Sequence, residues 1–363
     1  MNQIYLLAIL FSLIVGFVME FSVVRMAYRK KIFDKPNSRK LHSEPIPRLG
    51  GIIFAPVIFI VLVLLIIWDY PDGKFSIAAS DGVGSMLSLL GAGGVMFAFG
   101  VVDDFLGLRY RTKFIGQIIA GFILCGMGCY IDNLHGLFGL HELSTPVGWI
   151  LTVFAVIYVT NAINFVDGID GLASGLCAIA LTYDAVAFYI TDMMLFSVMS
   201  VVALVVLIPF MIMNLYGTSK GRTKTFMGDT GSLFLGLFLV YLGIMLNSPV
   251  SNYHLDYNQF VFAFVPLTLP CYDVLRVVAH RVRNGQSPFL ADKNHIHHKL
   301  LALGLSQQPI RWILLLTSVL MTIVLLWCTK YIDSTIVLVC SIALWLAANY
   351  LLTMKMKNKN KPL

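Results

Sequence analysis

Apolar residues in this chain come in long runs, with neither the strict alternation of half-buried strands nor the narrow stripe of a surface helix. Runs of roughly 17–25 apolar residues, long enough to cross a bilayer as helices, recur along nearly the whole length. Eleven such spans are read at about 3–24, 51–68, 84–102, 114–131, 146–163, 172–190, 193–213, 230–247, 260–279, 310–329 and 335–354. The pattern predicts an all-α, polytopic membrane protein with one membrane-embedded domain. The first span has no basic residue before it and no small-residue cleavage site, so it is expected to stay as an anchor.

Polar residues concentrate between the spans, most densely in Asn161-Ala-Ile-Asn164-Phe-Val-Asp167-Gly-Ile-Asp170-Gly-Leu172. Two amides, two carboxylates and two glycines between apolar runs are costly unless they line water or protein. Clustered oxygens suit a hard cation or a polar substrate. The bland alternative is a solvated turn that breaks a helix.

Composition agrees with the pattern. The 363 residues are 58% hydrophobic and only 12% charged, against about 25% charged in soluble domains. Of the 26 Lys and Arg, 24 fall in one alternating set of loops; only Lys74 and Lys330 fall in the other. The positive-inside rule then places the N-terminus outside and the C-terminus in the cytoplasm. The net charge of +7 is accounted for by these loops facing anionic lipid, and no nucleic-acid partner is implied. Six cysteines are scattered through the spans without a CxxC pair, so neither a disulfide framework nor a zinc site is expected.

The basic-side loops, at about 25–50, 103–113, 161–174, 214–232 and 280–309, carry the remaining candidates. Arg48 precedes Gly50-Gly51, whose backbone amides are expected to approach a phosphate. Asp103-Asp104 ends an apolar span and is followed by Arg109, Arg111 and Lys113. Acids beside bases suit metal-assisted chemistry on phosphates, the bland reading being pairing across a helix turn. Asp229 stands between Gly228 and Thr230-Gly231 at the start of a span, where it suits a metal ligand, and Phe226 is a base-stacking or interfacial aromatic. His295, His297 and His298 lack the i, i+4 spacing of a helical zinc site, and a phosphate clamp with Lys293 and Lys299 fits better. Asp184, inside a span, has no partner legible in the sequence. A transporter would place polar breaks near the midplane, usually with an inverted repeat; here the breaks share one face and no repeat is visible.

Val-Val-Asp103-Asp104, the Asn161–Leu172 stretch, Phe226-Met-Gly-Asp-Thr-Gly-Ser-Leu233 and His295-Ile-His-His298, in that order and spacing, resemble the polyprenyl-phosphate N-acetylhexosamine-1-phosphate transferases. The His-Ile-His-His form resembles the branch that starts O-antigen, common-antigen or teichoic-acid lipids, not the muramyl-pentapeptide branch with three consecutive histidines. One departure is Gly107 at the third acidic position of the family's Asp-Asp-x-x-Asp pattern. The resemblance implies transfer of HexNAc-1-phosphate, GlcNAc first among donors, from a UDP-sugar to undecaprenyl phosphate with release of UMP, at the cytoplasmic face of a bacterial plasma membrane. It implies magnesium, with manganese as a substitute, on Asn164 and Asp229. It implies Asp170 and Phe226 at the uracil end, Lys113 near the diphosphate, and the three histidines on the sugar-diphosphate. Asp103, Asp104 and Asp167 are the catalytic carboxylates by this reading, and a homodimer is compatible with it. Because a phosphate monoester is largely dianionic near neutrality, with a second pKa of about 6, direct attack by the lipid phosphate is expected, with Asp103 facing the acceptor and Asp104 supporting.

Overall fold

In a bilayer every backbone polar group must be satisfied within the protein, which leaves helices as the economical solution for apolar runs of this length. The computed structural model describes residues 3–33, 45–69, 81–248, 257–287 and 294–359. Six of the basic residues, Lys35, Arg39, Lys40, Lys74, Lys293 and Lys361, lie outside them. Among the described residues there are thirteen α-helices and no strand, only an isolated bridge between Asn133 and Glu142. The helices are α1 (Gln3–Lys30), α2 (Phe54–Asp69), α3 (Asp81–Leu106), α4 (Tyr110–Gly126), α5 (Thr145–Val166), α6 (Leu172–Ile190), α7 (Met194–Tyr216), α8 (Gly228–Asn247), α9 (Gln259–Phe264), α10 (Thr268–Arg283), α11 (Ile296–Ala302), α12 (Gln307–Thr329) and α13 (Ser334–Lys359).

Ten stretches among the described residues are long and apolar enough to cross a membrane, counting α9 and α10 as one broken element. The break between them is a 3-10 turn at Val265–Leu267 containing Pro266, where proline removes a helical donor. The remaining expected span, 114–131, is covered by α4, which has only 17 residues. It ends early because Gly128 takes a left-handed backbone, φ +84°, and it starts early with Arg111 and Lys113 in its opening turns.

The bundle is arranged around α8. Every one of its 20 residues is buried, with α3 and α5 as its main neighbours and α2, α6 and α9 completing the ring. The start of α8 is gripped by the chain leading into α2. Phe226 N–H donates to Pro47 O (2.8 Å), Gly50 N–H to Phe226 O (3.0 Å) and Gly51 N–H to Met227 O (2.8 Å). A Cβ on Gly51 would lie 2.3 Å from Gly231 Cα, so only glycine permits this approach. The Gly50 and Gly51 amides are therefore engaged by backbone and are not the phosphate donors expected from the sequence.

Helices also reach further into the polar stretches than the sequence pattern predicts. α5 continues through Asn161 and Asn164 to Val166, leaving only residues 167–171 as a turn. Asp103 and Asp104 lie on the last turns of α3, Asp229 on the first turn of α8, and His297 and His298 on α11. The carboxylates and Asn161 and Asn164 face protein partners, so the helical ladder continues past the end of the apolar run.

Candidate active site

Four segments distant in sequence meet at the N-terminus of α8. Asp229 is the hub. Its Oδ2 is 2.6 Å from Arg48 Nη2, and its Oδ1 accepts from Lys113 Nζ at 2.9 Å and from Asn164 Nδ2 at 2.7 Å. Asn164 Nδ2 also reaches Ser232 Oγ at 2.8 Å. Lys113 bridges onward to Asp103 Oδ2. Unpaired backbone N–H groups at a helix start attract anions, and Asp104 supplies one. It accepts from Asp229 N (2.8 Å), Thr230 N (2.9 Å) and Thr230 Oγ1 (2.6 Å). Gly228 makes room for it: φ is +75°, and a Cβ there would sit 2.6 Å from Asp104 Oδ2.

The two adjacent acids thus differ. Asp104 has a fully enclosed side chain with three donors on it, and it anchors α8. Asp103 pairs with Lys113 and accepts from Leu108 N–H at 2.6 Å, closing the end of α3. Gly107, at the position where the resemblance expects an acid, adopts φ +69°, a left-handed C-terminal stop that glycine takes without strain.

Asp167 is the acid open to solvent. Its carboxyl is crowded by protein atoms. That surrounding mass displaces water and raises its carboxyl to about 7; Arg48 opposes the rise, and Asp229, Asp170 and Asp104 add to it. A carboxyl at that value can exchange a proton near neutrality.

Asp170 lies beside this cluster. Its carboxylate pairs with Lys224 Nζ at 2.6 Å, and its carbonyl accepts from Arg311 Nη1 at 3.1 Å. Asn214, buried in α7, fastens the turn by accepting from Gly171 N–H (2.7 Å) and donating to Thr225 O (2.8 Å). Phe226 is half-buried, with its backbone tied to Pro47 and Gly50.

The histidines lie at the start of α11. The His295 ring is tilted against Phe165, centroids 5.3 Å apart, next in sequence to Asn164. His297 presses against the Gly168 backbone, where a Cβ would lie 2.7 Å from its Nε2. It is completely buried, and burial next to the other two histidines lowers its ring to about 3, so it is neutral under physiological conditions. Lys299, expected beside a phosphate, instead donates to Thr353 Oγ1 of α13 at 2.9 Å. A buried acid beside the histidines escaped sequence reading: Asp273 of α10, which holds His295 Nδ1 at 2.9 Å. It was discoverable by the rule that singled out Asp184, since a carboxylate inside an apolar span calls for a partner.

Among the described residues no group of three or more His, Cys, Asp or Glu is arranged to hold a metal ion. The donor set nonetheless fits magnesium. Among the described residues, Asp103, Asp104 and Asp229 pair with Arg48 and Lys113, Asp167 lies near Arg48, and their oxygens are hard donors with the Asn164 amide beside them.

Residues 86–247 match the model of glycosyl transferase family 4. Several curated proteins are similar over most of the chain. Undecaprenyl-phosphate alpha-N-acetylglucosaminyl 1-phosphate transferase of Yersinia pestis is 29% identical over 83% of this chain and 78% of its own length. Decaprenyl-phosphate N-acetylglucosaminephosphotransferase of Mycolicibacterium smegmatis is 32% identical over 75% and 69%. The probable undecaprenyl-phosphate N-acetylglucosaminyl 1-phosphate transferase of Bacillus subtilis is 31% identical over 83% and 78%.

The chain belongs to glycosyl transferase family 4.

The segment matching glycosyl transferase family 4 contains Asp103, Asp104, Lys113, Asn164, Asp167, Asp170, Phe226 and Asp229. Arg48 and the three histidines lie outside it, yet the fold brings Arg48 onto Asp229 and His297 onto Gly168.

Proposed function

We propose that the protein transfers GlcNAc-1-phosphate from UDP-GlcNAc to undecaprenyl phosphate and releases UMP. The observation that carries this reading is Asp229, held at the start of the most buried helix by Arg48, Lys113 and Asn164 from three separate segments. Two neighbouring cations suit the oxygens of a diphosphate and a lipid phosphate, whose mutual repulsion must be offset before they meet. The names of the relatives support the sugar and the polyprenyl acceptor.

Asp229 and Asn164 would hold magnesium, which would neutralise charge on the transferring phosphoryl group. Arg48 and Lys113, which meet at Asp229, bind phosphate oxygens of the substrates. An oxygen of the lipid phosphate attacks the phosphorus bearing the sugar. The bond between the two donor phosphorus centres breaks at its bridging oxygen, which leaves with UMP, and the sugar–oxygen bond is untouched. Asp167, open and poised near neutrality, takes the proton of an acceptor that arrives as the monoanion. Asp104, capped by three donors, keeps α8 in place, while Asp103 positions Lys113. Asp170 and Phe226 form the uracil end, and the histidines face the sugar-diphosphate. The 24-to-2 division of basic residues supports a cytoplasmic site in a bacterial plasma membrane. Manganese in place of magnesium and a homodimeric assembly remain part of the proposal.

The test is UMP release by purified protein with magnesium, undecaprenyl phosphate and a panel of UDP-sugars. UDP-GlcNAc is expected to turn over fastest. No UMP from any donor overturns the reading; preference for another donor overturns the sugar.

A further inference from the structure

One carboxylate of α10 ties down the start of the histidine segment. Asp273 of α10 has a side chain with no exposure. Its Oδ2 lies 2.9 Å from His295 Nδ1; its Oδ1 accepts from Arg276 Nη2 at 2.8 Å and from the Ile296 amide at 3.1 Å. Arg276 also donates to Asn294 O. The carboxylate therefore fixes both the backbone where α11 begins and the ring just before it.

Hydrogen-bond inventory then sets the ring. An ionised carboxylate only accepts, so the hydrogen between Asp273 and His295 sits on imidazole Nδ1. In its neutral form the ring then has no second N–H, and Nε2 is an acceptor. Nε2 makes no hydrogen bond to a described residue. The Phe165 and His297 rings lie next to it, centroids 5.3 Å and 5.9 Å away. An acceptor is the wrong partner for an anionic diphosphate and the right one for a hydroxyl or an amide N–H.

We propose that Asp273 is a positioning residue that fixes His295 with its proton on Nδ1, so that Nε2 offers a hydrogen-bond acceptor to the sugar ring of the nucleotide-sugar donor. This rests on the donor assignment above and adds which end of the donor the histidine reads. Asp273→Asn is the informative change. The Asn oxygen is claimed by Arg276 and Ile296, so its NH2 must face Nδ1, and the ring is driven to carry its proton on Nε2.

Steady-state kinetics of wild type, Asp273→Asn, His295→Ala and the double variant test this, with UDP-GlcNAc, undecaprenyl phosphate and UDP as a competitive inhibitor. Asp273→Asn should lower kcat/KM for UDP-GlcNAc about 10–100-fold, as loss of an orienting partner does. The KM for undecaprenyl phosphate and the inhibition constant of UDP, which lacks the sugar, should stay at wild-type values. In the His295→Ala background the same change should add about twofold or less. A merely structural role would weaken both substrates and UDP together and would add to His295→Ala; either result overturns the inference, as does full activity in Asp273→Asn. If Asp273→Asn does not fold, Asp273→Ala, which removes the acceptor facing Nδ1, takes its place in the same cycle. A wild type that releases no UMP refutes the proposed function itself, a failure distinct from an additive cycle in an active enzyme.

Discussion

Helices α8 and α13 are nearly matched in hydropathy, 1.8 and 2.1 over their most apolar windows, yet the window is 100% buried in α8 and 11% buried in α13. Lipid tails are as apolar as leucine, so hydrophobicity does not decide which span is central; close packing does. α8 carries four glycines, Gly228, Gly231, Gly236 and Gly243, and α13 has none. Neighbouring backbones approach α8 where a side chain would block them, and the polar residues at its start find partners on every side. α13 turns Leu344 and Leu351 outward, 71% and 67% exposed, as a helix facing lipid does.

The sharpest way to break this contrast is at the start of α8. Asp229→Asn removes the shared partner of Arg48 and Lys113, and turnover should fall about 10²–10³-fold, the usual cost of losing one charge-stabilising group. Normal abundance in the membrane, with UMP release lost, is the expected pair of readings. Restored turnover at high magnesium would favour a purely electrostatic role for the carboxylate.

Asp167 tests the open acid facing that helix. Its carboxyl is raised to about 7, so it holds its proton below that pH and loses it above. If the ionised form is required, kcat/KM should fall about tenfold per pH unit on the acid side. Asp167→Asn should be slow and lack that limb. A variant retaining the wild-type acid limb would assign it to another group.

Packing can be compared directly. Gly236→Leu must push against Thr160, whose Cα already lies 2.6 Å from where a Cβ would stand, and should cost about 1–3 kcal/mol of stability. Leu344→Ala on α13 should stay within about 0.5 kcal/mol. Melting in detergent reads both; equal losses would remove the distinction between core and rim.

The smallest effect is expected at Lys299. Its ammonium, lowered by burial to about 8, bonds Thr353 of α13, away from Asp229. Lys299→Met should change the KM for UDP-GlcNAc by about twofold or less. A large rise would return this lysine to the donor site.

Much of the site was legible because charge in an apolar chain is expensive and therefore marks use. Asp103, Asp104, Asp167, Asp229 and Arg48 stood out on that ground, and the fold brings them to one place. The same rule applied to Asp273 would have found the carboxylate behind His295; it passed unnoticed inside a run read only as a span. Asn161 and Asn164 were expected in a loop because two amides look like a break, yet they continue α5, since Asn161 donates to Gln117 and Asn164 to Asp229. Asp103 and Asp104 could not be told apart by their neighbours in sequence. The difference lies in Thr230 and Lys113, which reach them from other helices.

By itself the sequence determined the all-α, many-span class and the approximate place of most spans, because bilayer thickness and backbone hydrogen bonding leave few other choices. It also determined the kind of chemistry, because carboxylates and cations at one membrane face are informative by type alone. Only the tertiary structure decided that α8 is the central helix, that Arg48 and Lys113 share Asp229, that Gly50 and Gly51 bind backbone instead of phosphate, and that Lys299 points away. Each of these depends on which surfaces meet across long sequence separations, and close approach between helices is set by shape and by the absence of side chains, properties that an apolar run does not display in its hydropathy.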